Sequence, residues 1–318
     1  MKIVVLEADS VGTDVKWDPL KEFGEVILYN STPNEIIAER IEDADIVCAN
    51  KCILNETSLG GAGNLKLIAE AATGYNNIDI DYCMKKGIAV SNVSGYSTEA
   101  VAQHTFALLL SLNNKLEYYS DFVNSGEYSK QKSFCNISNV FHDLSEKTIG
   151  IIGLGNIGRR VAEIAKAFGM KVIYHSVSGN KQDVEYEMTG LDELLERSDV
   201  VSIHAPLNEK TRGLIDSAAF KKMKKSAILI NVGRGPIVVE EDLVNALNAG
   251  DIMAAGIDVY SKEPLSKTSV LLKIKDRDKL LLTPHQAWGS YEARKRLIEE
   301  ITENIREYIK GNERNRIV

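Results

Sequence analysis

Residues 148–160 read TIGIIGLGNIGRR, and the helical pattern VAEIAKAFG follows them directly. A short β-branched run leads into Gly153, Gly155 and Gly158 and then into an amphipathic helix. The spacing gives each glycine its own task. Gly153 permits a tight turn, Gly155 lets a pyrophosphate approach the backbone, and Gly158 lets the helix pack closely on the strand. The helix start, Asn156 and Ile157, presents unpaired N–H groups and a partial positive charge to the phosphates. A dinucleotide site is therefore expected. A glycine-rich turn without a ligand would need neither the strand before it nor the helix after it. Nearly half of the chain precedes this fingerprint, which points to a separate unit for the substrate.

Downstream, apolar runs at 148–153, 171–175, 200–204, 227–232, 254–259 and 280–283 read as six strands. Helical patterns fall at 157–168, 191–197, 217–223 and 240–249. Six strands after one fingerprint fit a doubly wound parallel sheet. Upstream, short runs at 3–6, 26–29, 46–49, 65–69 and 88–90 alternate with helical patterns at 33–41 and 78–86, the signature of a smaller parallel unit covered on both faces. A long helix, TEAVAQHTFALLLSLNN, carries the chain out of that unit, and an amphipathic helix at 291–310 follows the last strand. The expected architecture is α/β with two Rossmann-like domains. A doubly wound nucleotide-binding domain, 99–287, is inserted in a smaller flavodoxin-like substrate domain made of 1–98 and 288–318. The last helix is assigned to the first unit because that unit still needs covering.

The chain of 318 residues is 44% apolar and 26% charged, with a net charge of −7. This is the profile of a globular protein with room for two cores. The acidic balance argues against nucleic acid as a partner. The one basic cluster, Lys221, Lys222, Lys224 and Lys225, reads as the solvated face of a short helix. No stretch approaches the roughly 20 apolar residues of a membrane span, and MKIVVLEADS lacks the features of a signal peptide. Cys48, Cys52, Cys83 and Cys135 are scattered, and no second ligand pair accompanies Cys48 and Cys52. Buried free thiols in a reducing cytoplasm are expected rather than a metal site. Segment 117–145 has weak periodicity and many rings, among them Tyr118, Tyr119, Phe122, Tyr128, Phe134 and Phe141. A homodimer contact through this segment and the nucleotide-binding domain is the expectation.

Three candidate chemical groups each follow a predicted parallel strand, at the edge where open α/β sheets bind ligands. Gly233–Arg234–Gly235 follows AILINV, Glu263–Pro264 follows AAGIDV, and Pro284–His285 follows LLLT. An Arg between glycines is placed for bidentate recognition of a carboxylate or carbonyl. Singly, these groups read as a surface turn, a solvated acid and a helix-entry residue. Together, beside a dinucleotide fingerprint, they read as a catalytic set. His104, on an apolar helix face, reads as a satisfied core or interface histidine, and His142 as structural. Trp288 either caps the substrate pocket or packs the closing helix.

These blocks, in this order, resemble the D-isomer-specific 2-hydroxyacid dehydrogenases over nearly the whole chain. The matching stretches are ATGYNNID (72–79), NVSGYSTEAVAQHTFALLL (92–110), GIIGLGNIGRRVAEIAKAFGM (150–170), SIHAPLNEKT (202–211), ILINVGRGPIV (228–238), GIDVYSKEPL (256–265) and TPHQAWGS (283–290). Within the family the wording is most similar to the glycerate dehydrogenase (hydroxypyruvate reductase) branch. The resemblance implies that Arg234, Glu263 and His285 are the catalytic Arg, acid and acid–base His. It implies that the backbone of Thr73 and Gly74 takes the substrate carboxylate together with Arg234. Val232, Gly233, Asp258 and the turn His204–Ala205–Pro206 would bind the cofactor.

The implied reaction is reduction of a small 2-oxo acid, hydroxypyruvate first, by a nicotinamide cofactor. His285 supplies the proton, and Glu263 stabilises its protonated form. D-lactate, glyoxylate and 3-phosphoglycerate dehydrogenases are the alternatives inside the family, and a dinucleotide-sensing, corepressor-like protein is the alternative outside it. Similar formate dehydrogenases carry Gln in place of the acid, so Glu263 speaks against that activity. One departure concerns the cofactor. NAD-selective domains end their second strand with Asp or Glu for the ribose 2′-hydroxyl. Here His175 and Ser176 stand there, with Lys181 nearby, so NAD is the first expectation and NADP remains possible.

Overall fold

A computed structural model describes all residues, Met1–Val318. The chain divides into two compact units, Met1–Ser97 with Trp288–Val318, and Thr98–Ala287.

The first unit holds strands β1 (Lys2–Val5), β2 (Glu25–Leu28), β3 (Ile46–Ala49), β4 (Leu67–Glu70) and β5 (Ala89–Ser91). They form one parallel sheet in the order β2-β1-β3-β4-β5, the flavodoxin-like order. β3 and β4 are buried at every position, as expected where both sheet faces are covered. Val4, Ile37, Ile41, Val47, Ile68 and Val90 belong to its core. The helical pattern at 33–41 resolves into a 3₁₀ turn, Asn34–Ile36, and a short α-helix, Ile37–Ile41. A helix at Glu56–Leu59, absent from the sequence reading, is too short for periodicity to reveal. Its signal is the capping box between Asn55 and Ser58. The long helix Tyr291–Ile309, capped by Ser290, packs in this unit. Asn304 Nδ2 donates to Asn92 O at 2.9 Å and the Tyr308 hydroxyl donates to Lys66 O at 3.2 Å. The following tail pairs with β5, Ile317 N donating to Val90 O at 2.8 Å, which covers an otherwise open sheet edge. Trp288 meets Tyr96 edge-on, with ring centroids 6.3 Å apart.

The second unit holds β6 (Thr148–Ile152), β7 (Lys171–His175), β8 (Glu187–Met188), β9 (Val200–Ile203), β10 (Ile228–Asn231), β11 (Ala254–Ile257) and β12 (Leu280–Leu282). Their order is β12-β11-β10-β9-β6-β7-β8, with every pairing parallel. The order reverses between β6 and β9, and ligands of such sheets bind beyond the strand ends at that point. The sheet has seven strands where the sequence suggested six. The extra one, β8, is an exposed two-residue edge strand, too short to carry an alternating pattern. The basic cluster is also corrected, since its helix, Ser217–Lys222, ends before Lys224 and Lys225. Lys222 pairs with Asp192 at 2.6 Å and Lys224 with Asp199 at 3.0 Å. The weakly periodic segment after 116 begins with a regular helix, Leu116–Asn124. Tyr118 and Phe122 stack along it at 6.2 Å, the i,i+4 contact that supports a short helix. The side chain of His142 is exposed and its backbone carbonyl, not its ring, accepts from Asn113 Nδ2 at 2.7 Å.

Candidate active site

The turn after β6 carries the geometry that its glycines foretell. Gly153 has φ +92°, and a Cβ there would lie 2.7 Å from Ala205 N, so only glycine lets the loops after β6 and β9 meet. A Cβ on Gly158 would stand 2.3 Å from Gly153 O, whereas one on Gly155 would meet nothing within 4 Å. The first contact seats the helix against the turn. The open space at Gly155 leaves its backbone accessible beside the N-terminus of the helix Asn156–Ala167. A cavity of about 600 Å³ opens here, lined by Gly153, Gly155, Ser176, Ala205, Pro206 and Lys210 among others. Volume, open glycine backbone and unpaired helix N–H groups together fit a dinucleotide.

At the end of β7 the His175 ring turns toward the edge strand, its Nδ1 lying 3.2 Å from Thr189 O. It does not line the cavity, and neither does Lys181; Ser176, Ser178 and Gln182 do. Lys210, on the loop after β9, is a cation of this cavity that sequence reading passed over, because a lone loop lysine carries no signal. His204 directs Nε2 to the Ser202 hydroxyl at 2.8 Å, while its Nδ1 is shut off from solvent without a partner. Burial pushes this imidazole down to about 3, so it is neutral at ordinary pH.

The three chemical groups follow neighbouring strands: Arg234 after β10, Glu263 after β11, and His285 after β12. A Cβ on Gly235 would lie 1.9 Å from Tyr260 C, so that glycine presses the loops after β10 and β11 together. Arg234 Nη1 donates to Gly233 O at 2.8 Å, and Asn231 braces the turn from both sides, accepting from Gly233 N and donating to Arg234 O. Val232 is buried at the start of that turn. Glu263, which precedes a cis proline, takes the Tyr260 amide on Oε1 at 3.0 Å. Its Oε2 lies 2.7 Å from His285 Nδ1. The carboxylate accepts, so Nδ1 donates and Nε2 is the atom left for a reacting group.

His285 adopts φ +53°, a left-handed conformation that costs a non-glycine residue about 1–3 kcal/mol. Asp258 holds it there. Asp258 O accepts His285 N at 2.8 Å, and the fully buried carboxylate accepts Gln286 N and Ala287 N, each at 2.9 Å.

In the first unit the loop after β4 carries Thr73 and Gly74. Asn92 Nδ2 donates to Thr73 O at 2.7 Å and the Thr73 hydroxyl to Val93 O at 2.9 Å. Both contacts shape the loop, and neither uses the amides of Thr73 or Gly74. Glu70, the last residue of β4, was not singled out by sequence. It is fully buried, its Oε1 has no partner, and burial pushes its carboxyl well above the usual range. Cys48 and Cys52 are buried thiols, both pushed up to about 12 by burial.

Residues 106–287 match the family described as D-isomer specific 2-hydroxyacid dehydrogenase, NAD binding domain. The chain is 37% identical to a hydroxypyruvate reductase of Blautia hydrogenotrophica, with 98% of each chain covered. It is 36% identical to a glycerate dehydrogenase of Methylorubrum extorquens, covering 99% of this chain and 98% of that one. Its structure superposes on the D-lactate dehydrogenase of Aquifex aeolicus complexed with NAD and lactic acid. That match has a TM-score of 0.85 at 29% identity and covers 98% of this chain and 96% of the other.

Proposed function

Because the chain belongs to the D-isomer specific 2-hydroxyacid dehydrogenases, oxidoreductases acting on CH–OH groups, we propose that it reduces hydroxypyruvate to D-glycerate. Glyoxylate and pyruvate are slower substrates in this reading. The observation that carries it is the contact of His285 Nδ1 with Glu263 Oε2, formed at adjacent strand ends beside Arg234. A nicotinamide cofactor would, when bound, supply the hydride. Gly153, Gly155, Asn156, Ile157 and Gly158 would hold its pyrophosphate, and Val232, Gly233, Asp258 and the 204–206 turn would bind its nicotinamide end. His285 Nε2 gives its proton to the developing alkoxide, and Glu263 keeps the ring oriented. Arg234 orients the oxo acid and polarises its carbonyl, and the amides of Thr73 and Gly74 take its carboxylate.

NAD is the preferred cofactor in this reading. The absence of a carboxylate after β7 and the presence of Lys210 in the cavity favour NADP as a second one. The test is kcat/KM for hydroxypyruvate, glyoxylate, pyruvate and phosphohydroxypyruvate, each with NADH and with NADPH, followed at 340 nm. Hydroxypyruvate is expected to lead. One methylene is worth only about 1–3 kcal/mol of discrimination, so the short acids follow within that range. A phosphorylated substrate ahead by orders of magnitude, or four inert acids, overturns the assignment.

The enzyme is further proposed to act as a homodimer. Phe134, Ile137 and Val140 are 90%, 78% and 72% exposed in one short segment, and apolar side chains so concentrated favour burial against a second copy.

A further inference from the structure

His104 stands outside the chemistry described so far, on the helix Thr98–Asn113. Its Nε2 lies 3.0 Å from the Thr283 hydroxyl and 3.6 Å from Asp258 Oδ1. The Thr283 hydroxyl has a single proton, and its 2.6 Å contact with Asp258 Oδ1 takes it, because a carboxylate only accepts. Two acceptors would otherwise face each other across 3.0 Å, so His104 must carry its proton on Nε2 and donate it. Thr283 is also held by its carbonyl, which accepts from the Tyr260 hydroxyl at 2.7 Å. Burial, then the negative Asp258 and Glu263, push that phenol up to about 12, so it remains a donor. The Asp258 carboxylate in turn accepts Gln286 N and Ala287 N, the two amides that follow the strained His285 backbone.

We propose that His104 is a positioning residue: through Thr283 and Asp258 its Nε2–H locks the 283–287 loop and so fixes where His285 Nε2 meets the oxo acid. The lock is a closed set of bonds. Asp258 Oδ1 receives Thr283 Oγ1 and Gln286 N, with His104 beyond them at 3.6 Å. Without a donor at His104, the Thr283 hydroxyl keeps its bond to Asp258 but loses the partner that holds it from the other side. Thr283 and Asp258 can then shift together, and the left-handed His285 shifts with them. Small misplacements of a reacting group are costly, up to about 10²-fold for 1 Å.

This proposal rests on His285 being the proton donor, and the tests separate the two. His104→Leu should lower kcat about 10–10²-fold with cofactor Kd within threefold of wild type. His104→Gln, whose Nε2 can still donate, should restore most of it. Histidine ¹⁵N NMR of the unsubstituted protein should find His104 as the Nε2–H tautomer, a readout that does not depend on any variant folding. An Nδ1–H tautomer, a normal kcat in His104→Leu, or equal losses in both variants overturns the positioning role. Near-normal turnover in His285→Ala would instead overturn the reading beneath it.

Discussion

The Glu263 carboxylate is shared between two donors, His285 Nδ1 at 2.7 Å and the Tyr260 amide at 3.0 Å. The amide fixes the carboxylate, and the carboxylate fixes the imidazole. One strand end therefore supplies the acid and the next supplies the histidine that it orients.

Replacing His285 with Ala removes the proton donor and leaves the glycine loop untouched. Turnover should fall about 10²–10⁴-fold, the usual worth of a positioned general acid. NADH affinity, read by fluorescence titration, should stay within a few-fold.

Glu263→Gln keeps the shape and removes the charge. A neutral amide oxygen accepts from His285 Nδ1 more weakly than a carboxylate, so the ring is held less firmly and kcat should fall about tenfold, the equivalent of about 1.4 kcal/mol. Steady-state kcat for the oxo acid reads the change directly; an unchanged value would take Glu263 out of this role.

Gly158→Ala drives a Cβ to 2.3 Å from Gly153 O. The obstacle is backbone, so the helix must back away from the turn. A loss of about 1–3 kcal/mol is expected for such overpacking, seen as a lower Tm together with weaker NADH binding. Unchanged values of both would mean the helix start has slack.

His204 is held down to about 3 by burial, against about 6.5 for an ordinary histidine. Between those values the unfolded chain binds more protons than the folded one. The stability gained by keeping His204 neutral is therefore complete above about pH 6.5 and drains away as pH falls toward 3. The slope is at most about 1.4 kcal/mol per pH unit. His204→Asn should flatten the acid side of the Tm–pH curve, and a curve of unchanged steepness would assign the effect to other groups.

Phe134→Ser combined with Ile137→Ser should convert the proposed dimer to monomer in light scattering without a change in far-ultraviolet circular dichroism. A wild-type chain that already elutes as a monomer would remove the segment's assigned role.

The strands of both sheets were legible because parallel strands buried on both faces are short continuous apolar runs, as at Ile46–Ala49 and Val200–Ile203. The glycine loop was legible because Gly153 and Gly158 answer to local geometry that no other residue satisfies. Arg234, Glu263 and His285 could be singled out because each follows such a strand. Their grouping, however, depended on β10, β11 and β12 being neighbours. The edge strand β8 and the helix Glu56–Leu59 escaped because two to four residues hold less than one period of either pattern. Only the tertiary structure could give His104 its partner, since Thr283 lies 179 residues away in the chain. Only it could shut Glu70 Oε1 and His204 Nδ1 off from water. Sequence records which residues prefer to be buried; which buried polar atom meets which is settled only when distant strands and helices close around it.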